Sequence, residues 1–205
     1  MAHLFLIRHG ASFFNEREII TGSLDVPLTK KGIMQSQKLG QQINCSLDIV
    51  FTSSLIRSIE TASEFLRLHC QKYNKIPMVI PVEQETINLS NNILPVYRTN
   101  LIDERNYGCI QGVLRSQIDA IFSPSEISSW KTTMYAAPPE GECLEDVKKR
   151  TDLFYEKYLK KYLCNSQNIV IICHQNTIKT LRMTLDPNKY TDIHLKNCEI
   201  LEYII

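Results

Sequence analysis

The chain has 205 residues, of which 43% are hydrophobic and 22% are charged, and its formal net charge is +1. These values are typical of a globular domain, and the balanced charge excludes the broad basic surface on which nucleic-acid-binding proteins depend. No stretch of the sequence is long and apolar enough to predict a membrane span. We therefore expect neither nucleic acid nor a membrane among its partners.

The cysteines indicate a reducing compartment. There are seven of them, an odd number, and no two form a Cys-x-x-Cys pair, so neither a disulfide framework nor a zinc knuckle fits the pattern. The N-terminus also lacks the basic, apolar and small-residue succession of a signal peptide. We expect reduced thiols and a cytoplasmic protein.

Short apolar runs rich in β-forming residues predict buried strands at 3–7, 48–53 and 168–173, and a closing strand at 198–204. Helical patterns lie between them. Strands that alternate with helices predict an α/β fold, which we expect to be a three-layer α/β/α arrangement around a mainly parallel sheet.

Four segments have apolar residues at helical spacing. The first covers about 30–44 and can be capped by Thr29, and the second can be capped by Ser54. The third covers about 142–163. The fourth follows His174 and ends before Pro187.

Two segments have poor periodicity. Residues 71–102 are rich in proline and asparagine, and residues 105–142 are irregular apart from a short helix predicted near 115–122. We predict one domain over residues 1–205, with these two insertions forming a lid over the ends of the strands.

Cationic side chains follow the predicted strands or lie one turn into the next helix: Arg8, His9, Arg57 and His174. Ligands of parallel sheets bind at the carboxyl ends of the strands, so these side chains are expected to converge. Such a group fits an anion, and a phosphoryl group is the natural candidate because arginine offers paired donors to its oxygens. Gly10 would let backbone N–H groups approach the same anion. Each histidine alone is equally compatible with a structural role.

Six motifs, taken together and in order, are much more specific than any one residue. They resemble those of the histidine phosphatase superfamily, which includes the cofactor-dependent phosphoglycerate mutases. The motifs are LIRHGASFFN, TGSLDVPLTKKG, FTSSLIRSIETA, LIDERNYGCIQG, PPEGECLEDVKKR and IICHQNTIK.

The resemblance implies metal-independent phosphoryl transfer. His9 would be the nucleophile that becomes phosphohistidine, and Arg8, Arg57 and His174 would clamp the phosphoryl group. A transferring phosphoryl group needs such stabilisation of its equatorial oxygens, with the nucleophile and the leaving group in line.

The same resemblance selects Glu104, rather than the neighbouring Asp103, as the general acid and base. A small phosphorylated metabolite would be the partner, and the sequence does not indicate an oligomeric state. Residues implied to contact phosphate or substrate are Asn15, Thr21, Gly22, Tyr107, Arg115, Lys131, Gln175 and Asn176.

The sequence departs from the mutases where they face the substrate. Lys131-Thr132 stands where mutases carry an Arg-Arg pair for the substrate carboxylate, and a lysine lacks the paired fork of an arginine. Gln175 replaces the glycine that usually follows the second histidine, and Cys173 replaces a small residue.

These departures spare the transfer residues, so the sequence favours a phosphatase that hydrolyses a small phosphomonoester without a cofactor. One alternative is a phosphoglycerate mutase that interconverts 2- and 3-phosphoglycerate and requires 2,3-bisphosphoglycerate. A further alternative is a weakly active phosphate-binding or scaffold protein, in which Cys173 and Gln175 displace His174.

Overall fold

The structure, a computed structural model, describes residues 2–84, 89–188 and 192–204. A six-stranded sheet forms its centre. The strands are β1 His3–Arg8, β2 Ile49–Ser53, β3 Ile76–Pro81, β4 Ile93–Thr99, β5 Ile169–Cys173 and β6 Ile200–Ile204. Their order across the sheet is β3-β4-β2-β5-β1-β6, and every neighbouring pair is parallel except β1 and β6.

Helices cover both faces of this sheet. One apolar core contains Leu39 and Phe65 together with Val170 of β5, and the other contains Phe154 and Ile178. The predicted three-layer α/β/α fold is thereby confirmed. The helices are α1 Phe13–Glu16, α2 Lys30–Gln42, α3 Ile56–Tyr73, α4 Arg115–Ile118, α5 Pro124–Thr132, α6 Leu144–Phe154, α7 Lys160–Cys164 and α8 Gln175–Leu185.

Residues 71–102 are more regular than the partly structured insertion predicted for them, and they contribute to the central sheet. The segment contains the end of α3 and the parallel strands β3 and β4, and residues 85–88 of it lie outside the described residues. Proline hid the strand pattern. Pro77 and Pro81 are tolerated in β3 because this strand lies at the edge of the sheet, where not every N–H is needed for pairing.

Residues 105–142 contain more helix than predicted. Helix α5 follows α4, and it begins with a capping box in which Ser123 and Glu126 bond reciprocally, with Pro124 in the first turn. That signal was present in the sequence. Helical periodicity missed it because Trp130 is the one buried residue of this helix.

Two predicted details of the helices also differ. Ser54 does not cap α3, whose N-cap is Leu55. The backbone N–H and the hydroxyl of Ser54 donate instead to the carboxylate of Asp103, at 2.7 and 2.6 Å. The helix predicted over 142–163 is interrupted by a π-helical turn at Tyr155–Leu159, between α6 and α7.

No helix in the described part of the chain is long and apolar enough to cross a membrane.

His69 of α3 is a fully buried histidine, and we predict that it weakens the fold in acid. Its ring lies between those of Phe65 and Tyr73, and neither nitrogen has a partner within the described residues. Burial lowers the pKa of His69 to about 4. Below its ordinary pKa the unfolded chain takes up a proton that the folded chain excludes, so the free energy of unfolding falls as pH decreases from about 6.5 towards 4.

Denaturant unfolding at pH 7.5 and pH 5 tests this effect. Between the two pH values, His69→Leu should lose about 2 kcal/mol less stability than the wild type. Equal losses would contradict the assignment.

Candidate active site

The candidate site lies at the carboxyl ends of three adjacent strands. His9 follows β1, Ser53 ends β2 and His174 follows β5, while Arg57 comes from the first turn of α3. The rings of His9 and His174 are 5.1 Å apart between centroids. The parallel sheet therefore brings together the residues that the sequence predicted to converge.

His9 is buried, and its hydrogen bonds fix its tautomer. Nδ1 lies 2.7 Å from the carbonyl oxygen of Gly10, and Nε2 lies 3.2 Å from Nε of Arg57. A guanidinium can only donate, so Nε2 must accept and the ring proton must lie on Nδ1. Burial, together with Arg57 and Arg8, lowers the pKa of His9 well below its ordinary value. The ring is therefore neutral, with its lone pair on Nε2.

Arg57 joins His9 to the loop after α1. Nη2 and Nη1 donate to the carbonyl oxygens of Gly22 and Leu24, at 2.7 and 2.8 Å. Burial lowers the pKa of Arg57 to about 10, which leaves it charged at neutral pH. Gly22 has a φ of +53°, and a Cβ there would lie 2.0 Å from Oε1 of Gln111. The left-handed backbone favours glycine at this turn, and a larger residue would displace the Gln111 side chain.

Arg8 is held by the chain that precedes β6. Its Nη1 donates to the carbonyl oxygen of Leu195 at 2.5 Å, and its own carbonyl accepts from the N–H of Cys198. Burial lowers the pKa of Arg8, an effect that the charge of Glu104 opposes.

His174 is fully buried and turned towards two serines. Its Nε2 lies 2.7 Å from Oγ of Ser53 and 3.3 Å from Oγ of Ser58. Burial, followed by the charge of Arg57, lowers the pKa of His174 well below its ordinary value. Cys173 is buried within β5, so it does not displace the histidine from the site.

Three of the buried polar atoms that lack a partner within the described residues belong to this site. They are Nε of Arg8, Oγ1 of Thr21 and Nδ1 of His174. Buried polar groups are nearly always hydrogen-bonded, and orphans call for an explanation. A phosphoryl group, which is rich in acceptors, would satisfy donors at all three positions.

Asn15 lies beside His9 with its amide already oriented. Oδ1 accepts from the N–H and Oγ of Ser12, at 3.2 and 3.0 Å, and from Nδ2 of Asn197 at 3.3 Å. The same Asn197 nitrogen donates to the carbonyl oxygen of His9. Because Oδ1 is engaged by donors, Nδ2 of Asn15 is the group left to contact a ligand.

Glu104 forms a polar cluster with Asn176 and Tyr107. Its Oε1 accepts from the backbone N–H groups of Arg105 and Asn176, at 2.8 and 3.3 Å, and from Nδ2 of Asn176 at 3.1 Å. The Asn176 nitrogen also donates to the Tyr107 hydroxyl, at 2.9 Å. Burial and the nearby Glu104 charge raise the pKa of Tyr107. Because Oε1 of Glu104 already accepts these hydrogen bonds, Oε2 is the oxygen left to carry a proton.

Asp103, the competing carboxylate, has a structural contact. Both of its oxygens accept from Ser54, and its backbone carbonyl accepts from Thr177 at 2.7 Å. Burial raises the pKa of Asp103. This carboxylate joins the loop after β2 to the loop before Glu104.

Arg115 and Lys131 line a cavity of about 190 Å³ together with Tyr107 and Trp130. Both basic side chains are thus placed beside the Glu104 cluster. The hydroxyl of Thr132 donates to the carbonyl oxygen of Ser128 within α5.

Gln175, predicted to contact the ligand, makes two hydrogen bonds to the backbone. Its Nε2 donates to the carbonyl oxygen of Ile193 at 2.5 Å, and its Oε1 accepts from the N–H of Leu195 at 3.0 Å. The side-chain amide is committed to the backbone.

Gly10 also has a different role from the one expected. Its N–H donates to Oγ1 of Thr61 at 2.9 Å and does not face an anion. A Cβ at this position would lie 2.7 Å from the carbonyl oxygen of Gly32. Glycine is required here because β1 leads into a close approach to α2.

Sequence reasoning missed the residues that orient the site. It assigned no role to Ser53, Ser58, Thr61 or Asn197. Arg105 was also missed; it is 1% exposed and donates to the carbonyl oxygens of residues 130, 136 and 142. In the part of the chain that the structure describes, no group of three His, Cys, Asp or Glu side chains is arranged to hold a metal ion.

Comparison with known proteins agrees with this geometry. The family model of the histidine phosphatase superfamily (branch 1) matches residues 4–77 and 84–204. A 2,3-bisphosphoglycerate-dependent phosphoglycerate mutase from Chlamydia abortus is 33% identical over 202 residues, which cover 95% of this chain and 88% of the relative.

Two solved structures are similar. The phosphoglycerate mutase of Bacillus anthracis superposes with a TM-score of 0.74 at 21% identity, covering 98% of this chain and 86% of that one. The α-ribazole phosphatase of Shigella flexneri superposes with a TM-score of 0.65 at 27% identity, covering 89% and 79%. With a family model that matches nearly all of its length and relatives that are about a third identical, the chain belongs to the histidine phosphatase superfamily.

Proposed function

We propose that the chain is a phosphoglycerate mutase that uses 2,3-bisphosphoglycerate and transfers phosphoryl groups through His9. The observation that carries the transfer chemistry is the neutral His9, whose Nε2 lone pair lies beside Arg57 in a site with unpartnered polar atoms. The names of the similar relatives favour the mutase over the phosphatase that the sequence departures suggested.

The first half-reaction needs a nucleophile, a clamp and an acid. Nε2 of His9 attacks phosphorus as the bond to the leaving oxygen breaks, and Nδ1–H keeps its hydrogen bond to the Gly10 carbonyl as the ring becomes positive. Arg8, Arg57 and His174 offset the charge of the phosphoryl oxygens. Oε2 of Glu104 gives its proton to the leaving oxygen.

The second half-reaction reverses these roles. Glu104 takes a proton from the acceptor hydroxyl, whose oxygen attacks phosphorus while the bond to Nε2 breaks, and the lone pair returns to His9. The segment 105–142, which Arg105 holds by three backbone carbonyls, would be the lid that keeps water from this step.

The residues present fit a small polyanion such as 2,3-bisphosphoglycerate. Nε of Arg8 and Nδ1 of His174 are available to one phosphoryl group, and Arg115 and Lys131 would hold the remaining anionic groups. The bound cofactor supplies the phosphoryl group that primes the nucleophile. The protein would act in the cytoplasm on a small phosphorylated metabolite.

Hydrolysis of a phosphomonoester is a second candidate, favoured by Lys131-Thr132. Lys131 provides a point charge, and Thr132 is bonded within its own helix, so a substrate carboxylate would lack a bidentate partner. A loosely held substrate leaves water as the competing acceptor. The similarity to an α-ribazole phosphatase agrees with this alternative.

Parallel assays of isomerisation and phosphate release separate the two candidates. With 3-phosphoglycerate and 2,3-bisphosphoglycerate, we expect 2-phosphoglycerate to form faster than phosphate is released. The reason is that the cationic site binds the sugar-acid acceptor, which then competes with water for the phosphoryl group. His9→Ala should abolish both reactions.

Phosphate release that exceeds isomerisation would transfer the assignment to the phosphatase. In that event, Lys131→Arg combined with Thr132→Arg should raise the isomerised fraction if the mutase reaction is limited by the lack of an Arg-Arg pair for the substrate carboxylate.

Glu104→Gln should lose much more activity than Asp103→Asn. General acid–base catalysis contributes about 10²- to 10⁴-fold, and Glu104 is the carboxylate with an oxygen free to hold the proton. Because an aryl phosphate has a better leaving group, it should show a smaller loss than an alkyl phosphate. Steady-state kinetics on both substrate types provides the measurement, and equal losses in the two variants on the alkyl phosphate would remove Glu104 from this role.

A further inference from the structure

Gln175 connects α8 to the segment that precedes β6. It is the first residue of α8, directly after His174, and its two amide contacts reach the carbonyl of Ile193 and the N–H of Leu195. A side-chain amide that binds a carbonyl and an N–H two residues apart acts as a neighbouring strand would. Glycine, which the resemblance places here, can make neither bond.

The segment 193–198 in turn contacts the phosphate-binding side of the site. The carbonyl oxygen of Leu195 accepts from Nη1 of Arg8. Asn197 donates to the carbonyl oxygen of His9. The N–H of Cys198 donates to the carbonyl oxygen of Arg8.

The orientation of the Arg8 guanidinium depends on that one carbonyl. Within the described residues, Leu195 supplies the only hydrogen-bond acceptor of the Arg8 side chain, and no carboxylate pairs with it. Nε is buried without a partner. A contact that fixes Nη1 therefore sets the direction in which Nε and Nη2 present their N–H groups to an anion.

We propose that Gln175 is a positioning residue for Arg8. By holding the backbone at Ile193 and Leu195, it places the Leu195 carbonyl that orients the guanidinium towards the phosphoryl group. Gln175, which departs from the family motif, thus supports the anion site without contacting the anion. This inference rests on the proposed phosphoryl-transfer function.

Vanadate binding to the full chain tests the proposal without a turnover assay. Gln175→Met keeps the length of the side chain and removes both hydrogen bonds, and it should raise the Kd for vanadate about tenfold, within the range of one hydrogen bond to a charged group. Gln41→Met, at an exposed glutamine of α2, is the matched control and should leave the Kd unchanged.

A double-mutant cycle shows whether the effect passes through Arg8. In an Arg8→Ala background, Gln175→Met should change the Kd by less than about twofold, because the group that it positions is gone. Hydrogen exchange gives a second readout, in which the Leu195 amide should lose protection in Gln175→Met and retain it in Gln41→Met. If Gln175→Met folds poorly, Gln175→Glu, which keeps the acceptor and removes the donor, replaces it.

The outcomes separate the two hypotheses. A wild type that binds no vanadate refutes the phosphoryl-transfer function and the positioning role together. Wild-type binding with an unchanged Kd in Gln175→Met, or additive losses in the cycle, overturns the positioning role alone.

Discussion

The structure depends on keeping two histidines neutral beside two arginines in a buried site. His9 and His174 are almost fully buried, and burial with the neighbouring guanidinium charges lowers both pKa values. The permanent positive charges are therefore those of Arg8 and Arg57. A bound phosphoryl dianion would raise the pKa of His174 and favour its charged form. The site would then gain a further positive charge when the anion binds.

The fold creates this arrangement with backbone groups as much as with side chains. Parallel β1, β2 and β5 place His9, Ser53 and His174 at one edge. Carbonyl oxygens of the surrounding loops then orient the cations, at Gly22 for Arg57 and at residue 195 for Arg8. Loop positions are accordingly part of the geometry of the candidate site, and we expect changes in these loops to alter it.

The sequence predicted four of the six strands of the sheet because they are short, mainly apolar runs that proline does not interrupt. It predicted the convergent cations because the carboxyl ends of parallel strands meet at one edge. It did not predict β3 and β4, whose patterns are interrupted by Pro77, Pro81 and Pro95. Nor did it predict the role of Gln175, since the groups it positions are backbone groups that every residue carries. The motif comparison alone treated Gln175 as a departure. The preference for a phosphatase rested on departures in substrate-facing residues such as Lys131-Thr132, whereas the names of the similar relatives favour the mutase.

Sulfate binding followed by calorimetry tests the central claim most directly, because sulfate does not titrate near neutral pH and any proton taken up must go to the protein. At pH 6.5, in buffers of different ionisation enthalpy, binding should be accompanied by net proton uptake, and affinity should fall as pH rises, because the anion raises the pKa of His174. His174→Asn should lose most of the uptake. Binding without proton uptake, with an affinity independent of pH between 6 and 8, would contradict the account.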